Sequence, residues 1–255
     1  MNHDCFLTSL ALVVTLPVFA DAPKLPGVGA TMQELIAKNE IAGSVTVVVT
    51  KDKTVHLETT GFADIASKRP MTPDTLFWIA SMTKPVTGVA MMTLYERGHF
   101  QLDDPVERWI PEWKNMTVRE PDPNGGMHIV PAHRPPTVRD ILTHTSGIGY
   151  GYENGDLLLG ERSWLADHDL ATMAATMGEW PLRFQPGTHW LYSHGMDVAA
   201  RLVEIMSGQR FDEYLRASIL DPLGMVDTDF FVPEAKVDRF AACYGRNARK
   251  ELVLV

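Results

Sequence analysis

Residues 77 to 98 read FWIASMTKPVTGVAMMTLYERG and form the strongest helical pattern in the chain. Gly98 stands where a glycine commonly follows the last turn of a helix. Ser81 and Lys84, three residues apart at the start of this pattern, fall on one face of the predicted helix. The positions expected to face a core are Met82, Val86, Val89, Ala90, Met92, Thr93 and Leu94.

The pairing of Ser81 with Lys84 predicts a nucleophile and its activator. A serine hydroxyl is a weak nucleophile until a neighbour takes its proton, and a lysine amine can do so only if its pKa falls. The unpaired N–H groups and the positive dipole end of a helix start stabilise a developing alkoxide and disfavour a nearby ammonium. Taken alone, the same spacing also suits a serine that caps a helix beside a solvated lysine.

Patterns on both sides of this helix predict further helices and strands. The predicted helices cover residues 28 to 40, 196 to 206 and 211 to 220. The predicted strands cover residues 45 to 49 and 54 to 59 as a hairpin, and residues 241 to 244 and 251 to 255 in the tail. Five prolines and two adjacent glycines between residues 118 and 137 predict a long irregular loop.

Composition indicates a folded domain whose function lies in a local site. The chain has 255 residues, 45% of them hydrophobic and 22% charged. A chain of this size can bury about 70% of its unfolded surface without disulfides or structural zinc. A net charge of -9, with scattered basic residues, argues against a nucleic-acid partner or an anionic lipid surface. His189 and His194 lack a metal-binding motif around them, so no metal site is predicted.

The N-terminal segment has the pattern of a secretory signal. Residues 6 to 19 are mostly apolar but too short to span a bilayer comfortably, and small residues at Val18 and Ala20 suit a cleavage site. We therefore expect a signal peptide at residues 1 to 20, a domain at residues 21 to 255, no stable membrane insertion after cleavage, and a periplasmic or secreted location. The segment before residue 6 contains no Lys or Arg, so an uncleaved apolar N-terminus is the alternative.

Several widely spaced motifs occur in a fixed order along the chain. They are FWIASMTK at residues 77 to 84, LDDPV at 102 to 106, ILTHTSG at 141 to 147, QPGTHWLYSH at 185 to 194 and DPLGMVDT at 221 to 228. Together they resemble the serine β-lactamase and penicillin-binding-protein superfamily, nearest to class C β-lactamases and family VIII carboxylesterases. The resemblance runs from about residue 41 to the C-terminus.

The resemblance implies both a fold and a reaction. The fold is α+β, with an antiparallel sheet flanked by helices and a mainly helical lobe from about residue 77 to 220. Ser81 would form an acyl-enzyme, and Lys84 and Tyr192 would share the acid and base work without a cofactor. A phenol beside an ammonium ionises more easily, so Lys84 and Tyr192 can act as one proton-transfer unit. His144, within the THTSG landmark, is expected to be structural.

Two departures from the family pattern qualify this expectation. His194 stands where the Y-x-N motif has an asparagine associated with the acylamino group of β-lactams, so we expect His194 to contact substrate and an esterase to be favoured. No K-T-G, H-x-G or W-G-G segment follows Tyr192. The family uses that strand for half of its oxyanion hole, so we expect a domain truncated at its C-terminus. Losing one such donor costs roughly 10² to 10³ in rate.

The sequence therefore predicts a serine hydrolase whose partner is a small-molecule ester or β-lactam. Hydrolysis of small acyl esters is the favoured activity, with β-lactam hydrolysis as a further one. Two alternatives stay open: a non-catalytic or truncated penicillin-fold binding module, and a peptidase acting on D-Ala-D-Ala. The sequence does not predict an oligomeric state.

Overall fold

The structure, a computed structural model, describes residues 23 to 150 and 168 to 255. The predicted signal peptide lies outside these ranges. The described chain forms two compact units. Of the described residues, one unit contains 23 to 78 together with Val232–Val255, and the other contains 79 to 150 and 168 to 231.

Helices and strands are distributed unequally between the two units. Within the described residues, the α-helices are α1 (Val28–Ala37), α2 (Thr83–Glu96), α3 (Val138–Leu142), α4 (Leu170–Gly178), α5 (Gly195–Ser207) and α6 (Phe211–Leu215). The strands are β1 (Gly43–Val49), β2 (Thr54–Asp64), β3 (Arg69–Pro70), β4 (Thr117–Pro121), β5 (Met127–Pro131), β6 (Tyr244–Arg246) and β7 (Leu252–Leu254).

The first unit is built on a small antiparallel sheet in the order β1-β2-β3, with α1 packed against it. The predicted N-terminal helix and hairpin are confirmed, because β-branched residues of β1 pair with β2 from Gly43 to Val49. Gly61, opposite Gly43, has a φ of 72°, and a Cβ there would lie 2.5 Å from the Ala42 carbonyl oxygen. Glycine is therefore required where the sheet backbones approach one another. The tail strands β6 and β7 pair as a separate hairpin.

The second unit is mainly helical and holds a large apolar core. Helix α2 packs against α5, whose buried face includes Val198, Leu202 and Val203. Gly98 follows α2 with a φ of 77°, and Gly208 ends α5 with a φ of 70°. The helix end predicted from Gly98 is confirmed, and α5 ends at Ser207, one residue beyond the predicted range of 196 to 206. Together with the antiparallel sheet of the first unit, this helical unit gives the expected α+β class.

The predicted buried face of α2 is partly wrong. The buried positions are Thr87, Ala90, Met91 and Leu94. Met82 is 70% exposed and Val89 is 50% exposed, although both were expected to face a core. Because α2 carries apolar residues around most of its circumference, periodicity alone could not select the side that packs.

The predicted irregular loop between residues 118 and 137 is also partly wrong, because β4 and β5 pair there as an antiparallel hairpin. Val118 of β4 is completely buried. Pro121 and Pro131 stand at the last positions of the two strands, where a missing N–H is least costly. Gly125 and Gly126, with φ of 91° and 101°, make the turn.

The remaining observed helices agree less well with the helices predicted from the sequence. Helix α6 continues as a π-helical turn over Arg216–Leu220, within the predicted helix of residues 211 to 220. Helices α3 and α4 were not predicted.

In the ranges that the structure describes, no helix combines the length and apolar character needed to cross a membrane.

Candidate active site

Ser81 lies in a single 3-10 turn, Ala80–Met82, that leads directly into α2. The preceding residue, Ala80, has a φ of 44°, in the left-handed region that residues other than glycine seldom adopt. Such strained backbone persists where the surrounding structure holds it, and it clusters at functional sites. The turn leaves Ser81 exposed at the positive end of the α2 dipole.

Lys84 and Tyr192 lie beside Ser81, as predicted. The Lys84 Nζ donates a hydrogen bond to the Ser81 Oγ at 3.2 Å. The same Nζ lies 4.7 Å from the centroid of the Tyr192 ring. Residues from one helix and one distant loop thus place a hydroxyl, an ammonium and a phenol in one cluster.

The charge state of Lys84 differs from the sequence expectation. Burial lowers the pKa of the Lys84 ammonium, but hydrogen bonding with Tyr192 and Tyr150 outweighs it, and the resulting pKa lies above the ordinary value. The expected fall in the Lys84 pKa is therefore wrong. The helix start and burial both disfavour the charged ammonium. Hydrogen bonding with the two phenol oxygens stabilises that charge by more than these effects oppose it.

Tyr192 shows the opposite shift. Hydrogen bonding with Lys84, followed by hydrogen bonding with Ser81, holds the pKa of the Tyr192 phenol below its ordinary value. A phenolate stabilised by an ammonium can accept a proton from a neighbouring hydroxyl. The cluster can thus remove the Ser81 proton through Tyr192 while Lys84 stays charged.

The turn around His144 positions the segment that carries Tyr192. The His144 carbonyl accepts a hydrogen bond from the Leu191 N–H at 2.9 Å, and its Nδ1 lies 3.1 Å from the Ser193 Oγ. Burial lowers the pKa of His144, and the nearby charge of Lys84 lowers it further. The His144 carbonyl thus binds the backbone before Tyr192 and its imidazole binds the side chain after it, which fits the predicted structural role.

An ion pair between the buried Asp140 carboxylate and the partly exposed Arg134 guanidinium supports this turn. The Asp140 carboxylate accepts hydrogen bonds from Arg134, from the Thr137 N–H at 2.9 Å and from the Thr145 hydroxyl at 3.1 Å. Asp140 and Thr137 also form a capping box at the start of α3. Burial raises the pKa of Asp140, but these hydrogen bonds outweigh it and the pKa is lowered. The motif residues around His144 are therefore anchored to α3.

His194 lies at the start of α5 and is only 5% exposed. Its Nδ1 lies 3.0 Å from the Asp197 Oδ2, and its buried Nε2 has no hydrogen-bond partner in the described part of the chain. The Tyr150 ring covers it with a centroid separation of 4.2 Å. Contact of His194 with substrate stays a prediction.

Tyr150 is a site residue that the sequence did not reveal. Its ring centroid lies 5.9 Å from the Lys84 Nζ and 5.5 Å from the centroid of the Tyr192 ring. Tyr150 follows the THTSG motif by three positions, after Gly149, and nothing in that spacing distinguishes it from any aromatic residue near a turn. Only the folded arrangement shows that a second phenol joins the cluster.

A cavity of about 860 Å³ opens beside Ser81 and Lys84, between the facing sides of α2 and α5. Thr87, Ala200 and Phe230 contribute to its wall. Its volume falls within the range of pockets for small organic ligands. Across residues 23 to 150 and 168 to 255, no group of three or more His, Cys, Asp or Glu side chains is arranged to hold a metal ion.

Comparison with known proteins agrees with the motifs and the geometry. The beta-lactamase family model matches residues 28–254. Esterase EstB of Burkholderia gladioli is 34% identical over 221 residues, which are 84% of this chain and 53% of EstB. The structure of EstCE1, described as a hydrolase with promiscuous acyltransferase activity, matches with a TM-score of 0.76 and 25% identity over 89% of this chain and 57% of EstCE1.

A class C beta-lactamase structure shares the fold with a TM-score of 0.65 at 22% identity, over 88% of this chain and 54% of that protein. The chain thus spans little more than half the length of each of these three proteins.

Proposed function

This chain belongs to the beta-lactamase family of serine hydrolases, and from that premise we propose that it is a carboxylesterase that forms an acyl-enzyme on Ser81 with small acyl esters. One observation carries the proposal: the Lys84 Nζ contacts the Ser81 Oγ at 3.2 Å and lies 4.7 Å from the Tyr192 ring centroid. A serine hydroxyl beside a cation and an acidified phenol is an arrangement in which an adjacent base can activate a nucleophile for acyl transfer.

Acylation begins when the Tyr192 phenolate takes the proton of the Ser81 hydroxyl. The Ser81 Oγ then forms a bond to the ester carbonyl carbon, and the carbonyl π electrons move to its oxygen. The Lys84 ammonium offsets the negative charge that moves from the phenolate to the reacting centre. The Ser81 N–H, in the turn that leads into α2, is the donor within this chain that we assign to the oxyanion.

Collapse of the tetrahedral intermediate breaks the ester C–O bond. The departing alkoxide takes the proton from the Tyr192 phenol and leaves as an alcohol, so the acyl group remains on Ser81. Water then attacks the acyl carbon while Tyr192 again accepts a proton, and that proton returns to the Ser81 Oγ. The free acid leaves and the starting protonation states are restored.

An ester is favoured over a β-lactam for two reasons. EstB is named as an esterase, and its similarity covers 84% of this chain. His194 also replaces the amide of the Y-x-N motif and is almost fully buried, so the polar group associated with a β-lactam side chain is absent. β-lactam hydrolysis is kept as a second activity to be measured.

The proposal is tested with three substrate classes on the 255-residue chain: p-nitrophenyl butyrate, a chromogenic cephalosporin and a D-Ala-D-Ala peptide. We expect the ester to be hydrolysed with the highest kcat/KM and a fluorophosphonate probe to label the protein. Ser81→Ala should abolish both, whereas Ser67→Ala, which changes an exposed serine, should leave both unchanged.

Equal labelling of Ser81→Ala and the wild type would contradict the assignment of the nucleophile. Preference for the peptide or the cephalosporin would replace the esterase assignment with a peptidase or a β-lactamase. A wild type that binds these compounds without turnover would favour the binding module.

We also propose that the protein is exported to the periplasm or secreted. The support is the apolar run at residues 6 to 19 together with the small residues Val18 and Ala20, which suit a cleavage site after Ala20. Mass spectrometry of the periplasmic and extracellular fractions should find a chain that begins at Asp21. A chain that retains Met1 and stays in the cytoplasm would contradict export.

A further inference from the structure

We propose that Tyr150 is a positioning residue that holds the Lys84 ammonium against Tyr192, and that His194 supports Tyr150 from behind instead of contacting substrate. The inference builds on the proposed function because it concerns the same cluster. It assigns a role to a residue outside the three predicted reacting groups, and it changes the role expected for His194.

The first step of the argument is the arrangement around Lys84. The Nζ has one phenol ring centroid at 4.7 Å, that of Tyr192, and another at 5.9 Å, that of Tyr150. The two rings are 5.5 Å apart and tilted by 33°. A long flexible lysine side chain thus ends between two aromatic groups, which restrict the positions that the ammonium can take.

The second step is that the two phenols are not equivalent. Hydrogen bonding with Lys84 lowers the pKa of Tyr192, whereas burial raises the pKa of Tyr150 above its ordinary value. When the environments of two similar titratable groups push their pKa values apart, the two groups take different roles in proton transfer. Tyr192 is then the proton acceptor, and Tyr150 remains a neutral phenol that can exchange hydrogen bonds without exchanging its proton.

The third step concerns His194. Its ring lies 4.2 Å from the Tyr150 ring, closer than any other ring contact in the described part of the cluster. The Asp197 carboxylate fixes the imidazole through Nδ1 at 3.0 Å. Because His194 is 5% exposed and covered by Tyr150, it can influence Lys84 through Tyr150 without meeting the substrate.

This arrangement explains why a histidine, His194, occupies the position at which the family has an asparagine. A flat imidazole held by Asp197 offers Tyr150 a surface to pack against, which a small amide offers less well. Among the residues that the structure describes, Lys84 from α2, Tyr192 from the preceding segment and Asp197 from α5 are titratable groups that face this pair.

The test replaces the Tyr150 hydroxyl alone, with Tyr150→Phe. We expect kcat for p-nitrophenyl butyrate to fall by about tenfold or more, the effect of one hydrogen bond to a charged group, with a smaller change in KM. Tyr95→Phe removes a hydroxyl near the end of α2 that lies away from Ser81 and Lys84, and it should change neither kcat nor KM. Both variants should melt near the wild-type temperature, which shows that any loss is not unfolding.

A second readout does not depend on turnover. Tyrosinate absorbance is titrated in the wild type, and the transition that disappears in Tyr192→Phe is assigned to Tyr192. In Tyr150→Phe that transition should move to higher pH, because the phenolate loses a hydrogen-bonding neighbour. An unchanged transition would overturn the role of Tyr150 whether or not the protein hydrolyses esters. A shifted transition in a protein without esterase activity would overturn the proposed function and leave the positioning role standing.

A double-mutant cycle tests the role of His194. If His194 acts through Tyr150, the combined loss of kcat in Tyr150→Phe with His194→Asn is smaller than the product of the two single losses. If His194 contacts substrate instead, His194→Asn raises KM and its effect multiplies with that of Tyr150→Phe. The second result would overturn the supporting role.

Discussion

The Lys84 Nζ donates a hydrogen bond to the Ser81 Oγ across 3.2 Å, which defines the site. An ammonium that donates cannot at the same time accept the serine proton. Because the pKa of Lys84 lies above its ordinary value, this donor state persists at neutral pH. The proton acceptor must then be a second group, and Tyr192 is the neighbour whose pKa is lowered.

Removing the Tyr192 hydroxyl tests that assignment. Tyr192→Phe keeps the ring that packs against His144 but removes the proton acceptor. We expect kcat/KM for p-nitrophenyl butyrate to fall by roughly 10² to 10⁴, the usual contribution of a positioned acid or base. Steady-state kinetics with an unchanged melting temperature would support the assignment, and a fall of less than threefold would contradict it.

The pH dependence of the wild type follows from the same shift. Esterase activity should rise with pH as Tyr192 loses its proton, and the midpoint of kcat/KM should lie below the ordinary tyrosine pKa of 10.0. Lys84→Met removes the charge that stabilises the phenolate, so the midpoint should move to higher pH. A full pH–rate profile measures both.

Lys51→Met, in the exposed turn after β1, is the matched control and should leave the midpoint in place. A midpoint that stays fixed in Lys84→Met would show that Lys84 does not tune the base.

The THTSG turn should require glycine at position 147 because a side chain there would clash with a neighbouring segment, and not only because the backbone is left-handed. Gly147 and Gly125 have φ of 90° and 91°, but a Cβ would meet the Phe184 carbonyl oxygen at 2.5 Å only at Gly147. Gly125→Ala should cost about 1 kcal/mol of unfolding free energy from the left-handed backbone. Gly147→Ala should cost distinctly more and also lower kcat, because the turn holds the Tyr192 segment. Equal costs in denaturant unfolding would contradict the close approach.

The Asp140 carboxylate should stabilise the fold in a pH-dependent way. Asp140→Asn loses the ion pair with Arg134 and should lower the unfolding free energy by about 2 kcal/mol at pH 7. The folded-state pKa of Asp140 is lowered from the ordinary 3.8, so its contribution is complete above that value and is lost as the pH falls through the folded-state pKa.

The difference between the wild type and Asp140→Asn should therefore shrink below about pH 4. Urea unfolding at several pH values measures it. A difference that is the same at pH 7 and at pH 3 would contradict an ionised, paired Asp140.

Local sequence patterns correctly predicted the elements whose conformation depends on interactions between residues close in sequence. The β-branched run of residues 45 to 49 predicted a strand, and Gly98 predicted a helix end, because backbone preferences act over a few residues. The spacing of Ser81 and Lys84 predicted that their side chains lie together, which their 3.2 Å contact confirms, although Ser81 lies in the 3-10 turn that precedes α2.

Tertiary contacts decided what the sequence did not reveal. Which side of α2 packs depends on its neighbours, so the exposure of Val89 could not be foreseen. The pKa of Lys84 rises because two tyrosines from distant segments reach it, and Tyr150 carried no spacing signal. The β4–β5 hairpin was hidden by prolines that stand at strand ends, where pairing tolerates them.

The most direct test of the central claim is to trap the acyl group on the protein. The wild type is mixed with p-nitrophenyl butyrate, quenched in acid within the first turnovers and digested for mass spectrometry. We expect one butyryl group on the peptide that contains Ser81, together with a burst of p-nitrophenol that matches the acylated fraction. Butyrylation in Ser81→Ala, or ester hydrolysis without an acylated Ser81 peptide in the wild type, would contradict an acyl-enzyme at Ser81.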